Sequence, residues 1–349
     1  MRYRPLGKTD LDVSEIAFVT GDNAGLMTIA PEADRWKSFE YALSIGVNYF
    51  DTSPDYGKGR AEENLGLALK RFARDVPRPL HVSTKVEVMP GDVDDIAGKV
   101  IASTEASLRR LGVDCIDVMM IHNPPRSTRD PSAAHWLPLT PDDMLGPALE
   151  GLERMRDAGK IRWFGFTCES AEPEPAKRVL SSGSYHAINC WYNMVNPTAG
   201  MNPAGVRYGA GYDDYDGIIT HAGECGVGVA VIRPLSGGAL THQVIEQGAG
   251  GRHRHAGGIY TRQPETFTPE IQRGRAFAFL HRPPRTLPVA AYQFALAHPA
   301  VSTIVGGFSE IAQLQEVAAV EGVPLLSSDE WTQINAAYAA NFYLDEGAL

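Results

Sequence analysis

Short apolar or β-branched runs recur along the chain, separated by longer stretches in which apolar residues return every three or four positions. The runs are SEIAFVTG (14–21), VNYFDTS (47–53), LHVSTKV (80–86), CIDVMMIHN (115–123), IRWFGFTC (161–168), YHAINCWYN (185–193), VGVAVIRPL (227–235) and VSTIVGG (301–307). Several are apolar along their whole length, the pattern of a parallel sheet covered on both faces. They predict eight strands. The helical period is carried by 33–46, 60–74, 94–112, 142–160 and 310–320. Asp34 and Asp142 read as N-terminal caps or first-turn acids, and Gly46, Gly112 and Gly159 as C-terminal stops.

Eight strands alternating with helices predict a (β/α)8 TIM barrel, a fold of about 250 residues plus insertions. The alternative, an open doubly wound sheet, brings a glycine-rich phosphate turn after an early strand. No G-x-G-x-x-G stands in this sequence. The 349 residues read as a single domain, 1–349, with the surplus in three long loops. These follow strand four (Asn123 to Thr140), strand six (Met194 to Asp216) and strand seven (Gly237 to about Pro284). All three belong at the C-terminal face, where this fold places catalysis. MRYRPLGKTDLDVS, ahead of strand one, is expected to form a small β-hairpin plugging the opposite end.

Charge narrows the partners. With 32 Lys+Arg against 42 Asp+Glu the formal charge is −10, which argues against nucleic acid, whose phosphates are bound by Lys and Arg. No apolar run reaches the roughly 20 residues that span a bilayer, so no membrane association is expected. The N-terminal MRYRPLGKTD lacks the apolar stretch of a signal peptide. Cys115, Cys168, Cys190 and Cys225 have no paired spacing and read as reduced, mostly buried thiols of a cytoplasmic protein.

Titratable residues are uncommon at the ends of apolar strands, yet here they cluster. Asp51 closes the second run, Tyr56 follows in the loop, Lys85 closes the third and His122 closes the fourth. Neighbouring barrel strands lie about 4.8 Å apart, so one pocket can collect all four side chains. A phenol with a pKa of about 10 is a poor acid at neutral pH unless a cation stabilises its phenolate. Lys85 can supply that charge, Asp51 can hold Lys85, and a neutral His122 can donate to a carbonyl oxygen. The set suits protonation of a carbonyl oxygen while a hydride reaches its carbon, or the reverse. Taken singly, each has a plain structural reading: Asp51 a turn or cap residue, Lys85 a strand-end cation, His122 a satisfied histidine, Tyr56 a loop aromatic.

FDTSPDYGKGRAEENLGLAL (50–69), STK (83–85), IHNPP (121–125), GFT (165–167), GVGVAVIRPLSGGAL (226–240) and GFSEIAQLQE (307–316) resemble the aldo-keto reductase superfamily. The resemblance runs through almost the whole chain in order, and the D-x-x-x-x-Y-G segment with the later Lys and His is specific. It implies a (β/α)8 barrel using NADPH or NADH to reduce aldehydes and ketones, or to oxidise alcohols and sugars. By position it implies Asp51, Tyr56, Lys85 and His122 as the catalytic tetrad, with Tyr56 the general acid/base. The Ser-Asn pair and Gln that hold the nicotinamide carboxamide in the family correspond here to Thr167, Cys168 and Asn189. A thiol is a weak hydrogen-bonding group, and Cys168 reads equally as a buried filler.

The expected cofactor contacts extend to Gly21, Asp51, Ile232, Arg233, Pro234, Leu235, Gly237, Gly307, Ser309, Gln313 and Glu316. Ile232 stands where many members carry an aromatic residue against the nicotinamide. Arg233 can reach phosphate or substrate, or make a structural ion pair. Small residues at Ser236, Gly237 and Gly238 suit backbone N–H groups approaching a pyrophosphate. Members that prefer NADP carry Lys or Arg near Phe308 and Ser309, since a 2′-phosphate takes charge-assisted bonds. None stands there. The cofactor expectation is NAD(P)H, with NAD slightly favoured over NADP.

A small carbonyl compound or sugar is the expected substrate, met by Asp22, Asn23, Tyr56, His122 and Trp191, with Trp136, Tyr192 and Tyr208 also at the pocket mouth. Trp191 and Tyr192 can instead pack under the barrel rim. Arg252-His253-Arg254-His255 has no partnering Cys or carboxylate at ligand spacing, so no metal site is expected. Gly7-Lys8-Thr9 lacks the earlier glycine of a P-loop, and Ser236 follows Pro234 where a nucleophile elbow needs glycine. Two other functions compete: a cofactor-binding redox-sensing or regulatory subunit with little turnover, and a non-redox barrel enzyme using Lys85 as a Schiff base.

Overall fold

The computed structural model describes residues 1–73, 76–130, 132, 137–207, 212–251 and 264–346. Strands β1 (Tyr3–Pro5) and β2 (Asp12–Ser14) pair antiparallel as the expected hairpin. Each of the eight runs then supplies one barrel strand: β3 (Ile16–Val19), β4 (Tyr49–Asp51), β5 (His81–Val86) and β6 (Ile116–Ile121), then β7 (Ile161–Thr167), β8 (Ala187–Trp191), β9 (Gly228–Ile232) and β10 (Val301–Gly307). Each pairs in parallel with its neighbours in sequence, and β10 closes on β3.

Helices fill the connections. They are α1 (Glu32–Ser44), α2 (Arg60–Phe72), α3 (Ile96–Leu111), α4 (Pro141–Asp143), α5 (Leu149–Asp157), α6 (Pro173–Ser181) and α7 (Ile218–Glu224). The β9–β10 connection carries α8 (His242–Gln247), α9 (Pro264–Arg275) and α10 (Leu287–Leu296), and α11 (Ile311–Ala318) and α12 (Ser328–Ala339) follow β10. Gly112 ends α3 in the left-handed conformation with φ 66°. Asp34 and Asp142 sit in first turns, while Pro31 and Thr140 occupy the cap positions.

The structure departs from the periodicity in two ways. The stretch 142–160 is not one helix: a π-turn over Met144–Ala148 separates α4 from α5. Pro147 lies inside that turn and Gly146 leaves helical geometry there (φ −105°, ψ −107°), because proline removes an N–H and crowds the preceding turn. Conversely, α10 is buried at every one of its 10 positions, so it has no polar face to mark a period. The long strand-seven loop itself contains α8 and α9. The tract 252–255, Trp136 and Tyr208 lie outside the described residues.

Two apolar layers hold the barrel. Outward side chains such as Phe18 and Phe50 pack with Phe39 of α1 beneath the helices. Inward ones, among them Ala17, Tyr49, Val118, Met120, Ala187, Ala230 and Val305, pack with Leu6, Leu11 and Val13 of the hairpin. The hairpin therefore seals the N-terminal end with apolar side chains. A Cβ on Gly7 (φ +57°) would lie 2.3 Å from Gly228 N, so only glycine permits that approach.

A polar network ties the same end. Arg162 bridges Asp10 of the hairpin turn and Asp117 of β6, at 2.7 Å each. Burial works against the Asp117 charge, but His81, the Val82 N–H and Arg162 together hold its carboxyl below the ordinary range. A depressed folded-state pKa gives stability that is complete above the unfolded value, near pH 4, and is lost as pH falls through the folded one. Asp117→Asn should cost about 1.5–3 kcal/mol at pH 7 and flatten the acid limb of the stability curve, measured by urea unfolding between pH 7 and pH 3.

Candidate active site

Strand alternation decides what enters the barrel. Stepping by two from the interior positions toward the C-terminal ends reaches Val19, Asp51, His122, Asn189, Ile232 and Gly307, and Lys85 lies level with Met120. All of these line one cavity of about 570 Å³ at that end of the barrel. Tyr56 joins them from the β4–α2 loop.

Lys85 and Asp51 form its electrostatic centre. Lys85 Nζ lies 2.5 Å from Asp51 Oδ1 and donates to the Thr52 carbonyl at 2.7 Å. Their side chains are only 3% and 1% exposed. Asp51 Oδ2 accepts from Asn189 Nδ2 at 3.3 Å, so both carboxylate oxygens have donors. The ammonium stands 5.0 Å from the centre of the Tyr56 ring, and the Tyr56 and His122 rings meet edge-on with centroids 6.2 Å apart.

The loop that presents Tyr56 is held by local backbone geometry. Tyr56 N donates to Ser53 O and its carbonyl accepts from Ala61 N, each at 3.2 Å. Gly57, Lys58 and Gly59 that follow are all left-handed (φ 58°, 56° and 89°), which turns the chain at once into α2. Asp22 accepts from Gly57 N at 2.8 Å. That bond is the physical reason Asp22, expected at the substrate, is not among the residues of the cavity wall: its carboxylate braces the Tyr56 loop.

Cys168 is likewise away from the wall. One step past Thr167 its side chain points outward, where it is fully buried in the apolar layer beside Cys190. Burial first, and then the neighbouring thiol, push the Cys168 thiol well above its ordinary pKa. Tyr192 also faces away, packed on Phe294 at 5.2 Å, whereas Trp191 lines the cavity. The other expected positions, Gly21, Asn23, Thr167, Arg233, Pro234, Leu235, Gly237, Ser309, Gln313 and Glu316, all line it.

Two buried atoms on this wall, Thr167 Oγ1 and Asn189 Oδ1, have no hydrogen-bond partner among the described residues. Leaving such groups unmatched costs about 1–3 kcal/mol each. A hydroxyl that can donate and an amide oxygen that accepts, on paired strand ends (Thr167 opposite Asn189), fit a planar carboxamide. The residues present thus suit a nicotinamide. The β9 loop suits a phosphate: Ser236, Gly237 and Gly238 have φ of 47°, 65° and 105°, the kind of backbone that makes anion-binding concavities. Arg233 stacks over Trp191 at 4.2 Å and pairs with Glu270 at 3.3 Å, so it makes the structural ion pair while lining the cavity. Burial raises the Glu270 carboxyl above its ordinary value although Arg233 pulls it down.

Sequence reading missed Glu169, just beyond β7, and much of the far wall, including Thr241, His242, Gln243, Pro288 and Tyr292. Pro288 and Tyr292 belong to the fully buried α10, which has no period; Thr241 caps α8 and His242 and Gln243 open it, inside a loop whose length alone carried no signal.

The aldo/keto reductase family model matches residues 23–339. An L-galactose dehydrogenase of Arabidopsis thaliana is 27% identical over 337 residues, covering 95% of this chain and 92% of that protein. A D-threo-aldose 1-dehydrogenase of a Pseudomonas species is 24% identical over 331 residues, covering 88% and 89%. The holo form of an aldo-keto reductase from Bacillus halodurans has the same fold, with a TM-score of 0.69, 23% identity and 97% of each chain covered. With the family model spanning nearly the whole chain, the chain belongs to the aldo/keto reductase family of NAD(P)-dependent oxidoreductases.

Proposed function

We propose that residues 1–349 act as one unit that interconverts a hydroxylated aldehyde, ketone or sugar lactol and the corresponding alcohol or lactone. The observation that carries this reading is the convergence of Asp51, Lys85, Tyr56 and His122 on one cavity wall. A bound nicotinamide supplies the hydride. The remaining work belongs to the chain. Tyr56 gives its hydroxyl proton to the carbonyl oxygen in reduction and takes it back in oxidation. The Lys85 ammonium stabilises the phenolate that remains, and Asp51 with the Thr52 carbonyl keeps that ammonium in place. His122 donates to the substrate oxygen and fixes its direction. Thr167 and Asn189 hold the carboxamide, and the 236–238 loop receives the pyrophosphate.

NAD is favoured over NADP. The lining residues on α8, α10, α11 and the end of β10 include Glu310 and Glu316 and, among the described residues, no Lys or Arg, so a 2′-phosphate would meet carboxylates rather than cations. Asn23, Glu169 and Trp191 near the tetrad suit a substrate with several hydroxyls, in keeping with the sugar substrates that both dehydrogenase relatives carry in their names. The four free cysteines suit a cytoplasmic setting. A Schiff-base role for Lys85 is disfavoured, since that chemistry needs a neutral amine and this one is clamped in an ion pair. A purely regulatory subunit would have no use for the complete proton-transfer set.

Two measurements test this. Titration with NADH and NADPH should give tighter binding of NADH, and Tyr56→Phe should keep that binding while losing at least about 100-fold in turnover, the lower range for general acid catalysis; substantial turnover in the variant would remove Tyr56 from the mechanism. Lys85→Met alone should lower unfolding free energy by about 3–5 kcal/mol by leaving Asp51 buried without its cation. Adding Asp51→Asn should restore most of that stability, but none of the turnover, in denaturation and rate measurements on the double variant.

A further inference from the structure

Beyond the tetrad the cavity runs on between α8 on one side and α10 and α11 on the other, with Thr241, His242, Pro288, Tyr292, Glu316 and Val317 among its walls. In the reading above this part receives the adenosine half of the cofactor. A purine is a flat ring and binds best against another ring that offers an uncovered face. Among the described residues three aromatic rings line this part: Tyr292, Phe308 and His242. Tyr292 and Phe308 are 1% and 2% exposed, and Phe308 is already packed on Phe18 at 5.9 Å. Both are committed to the core.

His242 differs. Its side chain is 48% exposed, and its ring lies parallel to that of His281, with centroids 4.4 Å apart and planes 8° off parallel. Its Nε2 faces Glu246 Oε1 at 3.2 Å, one helical turn further along α8. One face is therefore covered and one edge held, while nearly half of the side chain stays exposed on the cavity wall. A ring fixed in this way before a ligand arrives loses little freedom when the ligand stacks on it.

We propose that His242, backed by His281, is the surface on which the adenine ring of the cofactor stacks, with His281 and Glu246 as positioning residues. The proposal rests on the dinucleotide reading of the cavity. It uses no charge on the ribose, so it applies to NAD and NADP alike.

Isothermal titration calorimetry of the full chain with NADH and with ADP-ribose, which carries the adenine without the nicotinamide, separates the outcomes. His242→Ala should weaken both ligands by about tenfold and by the same factor, the lower range for loss of one ring–base stack. His242→Phe retains a flat ring and should stay within about twofold of the parent, while His281→Ala should lose about threefold through a less firmly held ring. Melting curves establish that each variant is folded. Unchanged affinity in His242→Ala, or equal loss in the Ala and Phe variants, overturns the stacking role alone. A parent protein that binds neither NADH, NADPH nor ADP-ribose overturns the cavity reading and this inference with it.

Discussion

The structure is organised around one ammonium taken out of water. Removing Lys85 and Asp51 from solvent costs several kcal/mol per ion, and only close geometry with every remaining lone pair satisfied repays it. The barrel meets those terms with neighbouring strands. Asp51 ends β4 opposite Ser83 of β5, and Lys85, two residues further along β5, reaches its carboxylate, while the Thr52 carbonyl and Asn189 amide complete the contacts. An open sheet would leave β8, and with it Asn189, far from β4. Closure of β10 on β3 is thus a condition of the Asn189 contact that completes the surroundings of the ion pair, as well as a feature of the fold. The sealed hairpin end contributes too, because water entering from below would reach the same layer.

Positioning of Tyr56 is a separate problem, solved by a loop rather than a strand. Three left-handed residues in succession and the Asp22 carboxylate on the Gly57 N–H hold the turn. Asp22 therefore affects the phenol without touching the cavity. The β9 loop repeats the device: left-handed Arg233 is fixed by Trp191 below and Glu270 above, and its carbonyl accepts from Asn193 at 2.9 Å. In both places strained backbone is held by side chains that look from the sequence like ligand contacts.

This is where sequence and structure part. The eight strands were legible because runs buried on both faces are apolar throughout, and Asp51, Lys85 and His122 stood out as polar endings to such runs. Strand parity was also available in principle. It turns Thr167 and Asn189 inward and Cys168 and Cys190 outward, which resolves the departure at Cys168, since the thiol occupies a place in the outer layer. What the sequence could not supply was the far wall. A helix as uniformly buried as α10 has no period, and the short α8 is fixed by a threonine cap (Thr241 accepting from Val244 N) and by the distant His281 ring. Those contacts depend on where a long connection returns to the barrel, and local pattern does not encode that.

The balance of charge on the cavity wall follows from the same packing. Among the described lining residues the Lys and Arg side chains are Lys85 and Arg233, and each is already paired with a buried or half-buried carboxylate, Asp51 and Glu270. The far end adds Glu310 and Glu316. In the proposed reading a pyrophosphate would gain little from side-chain cations and would depend on backbone N–H groups of the left-handed 236–238 turn, whose partial charges are fixed in place and short in range. Small residues would suit that role, since a side chain at Gly237 or Gly238 would hold an anion away from such donors. The barrel thus spends its strong electrostatics on keeping one ammonium beside one phenol, and has no unpaired side-chain cation among the described lining residues for the rest of a ligand.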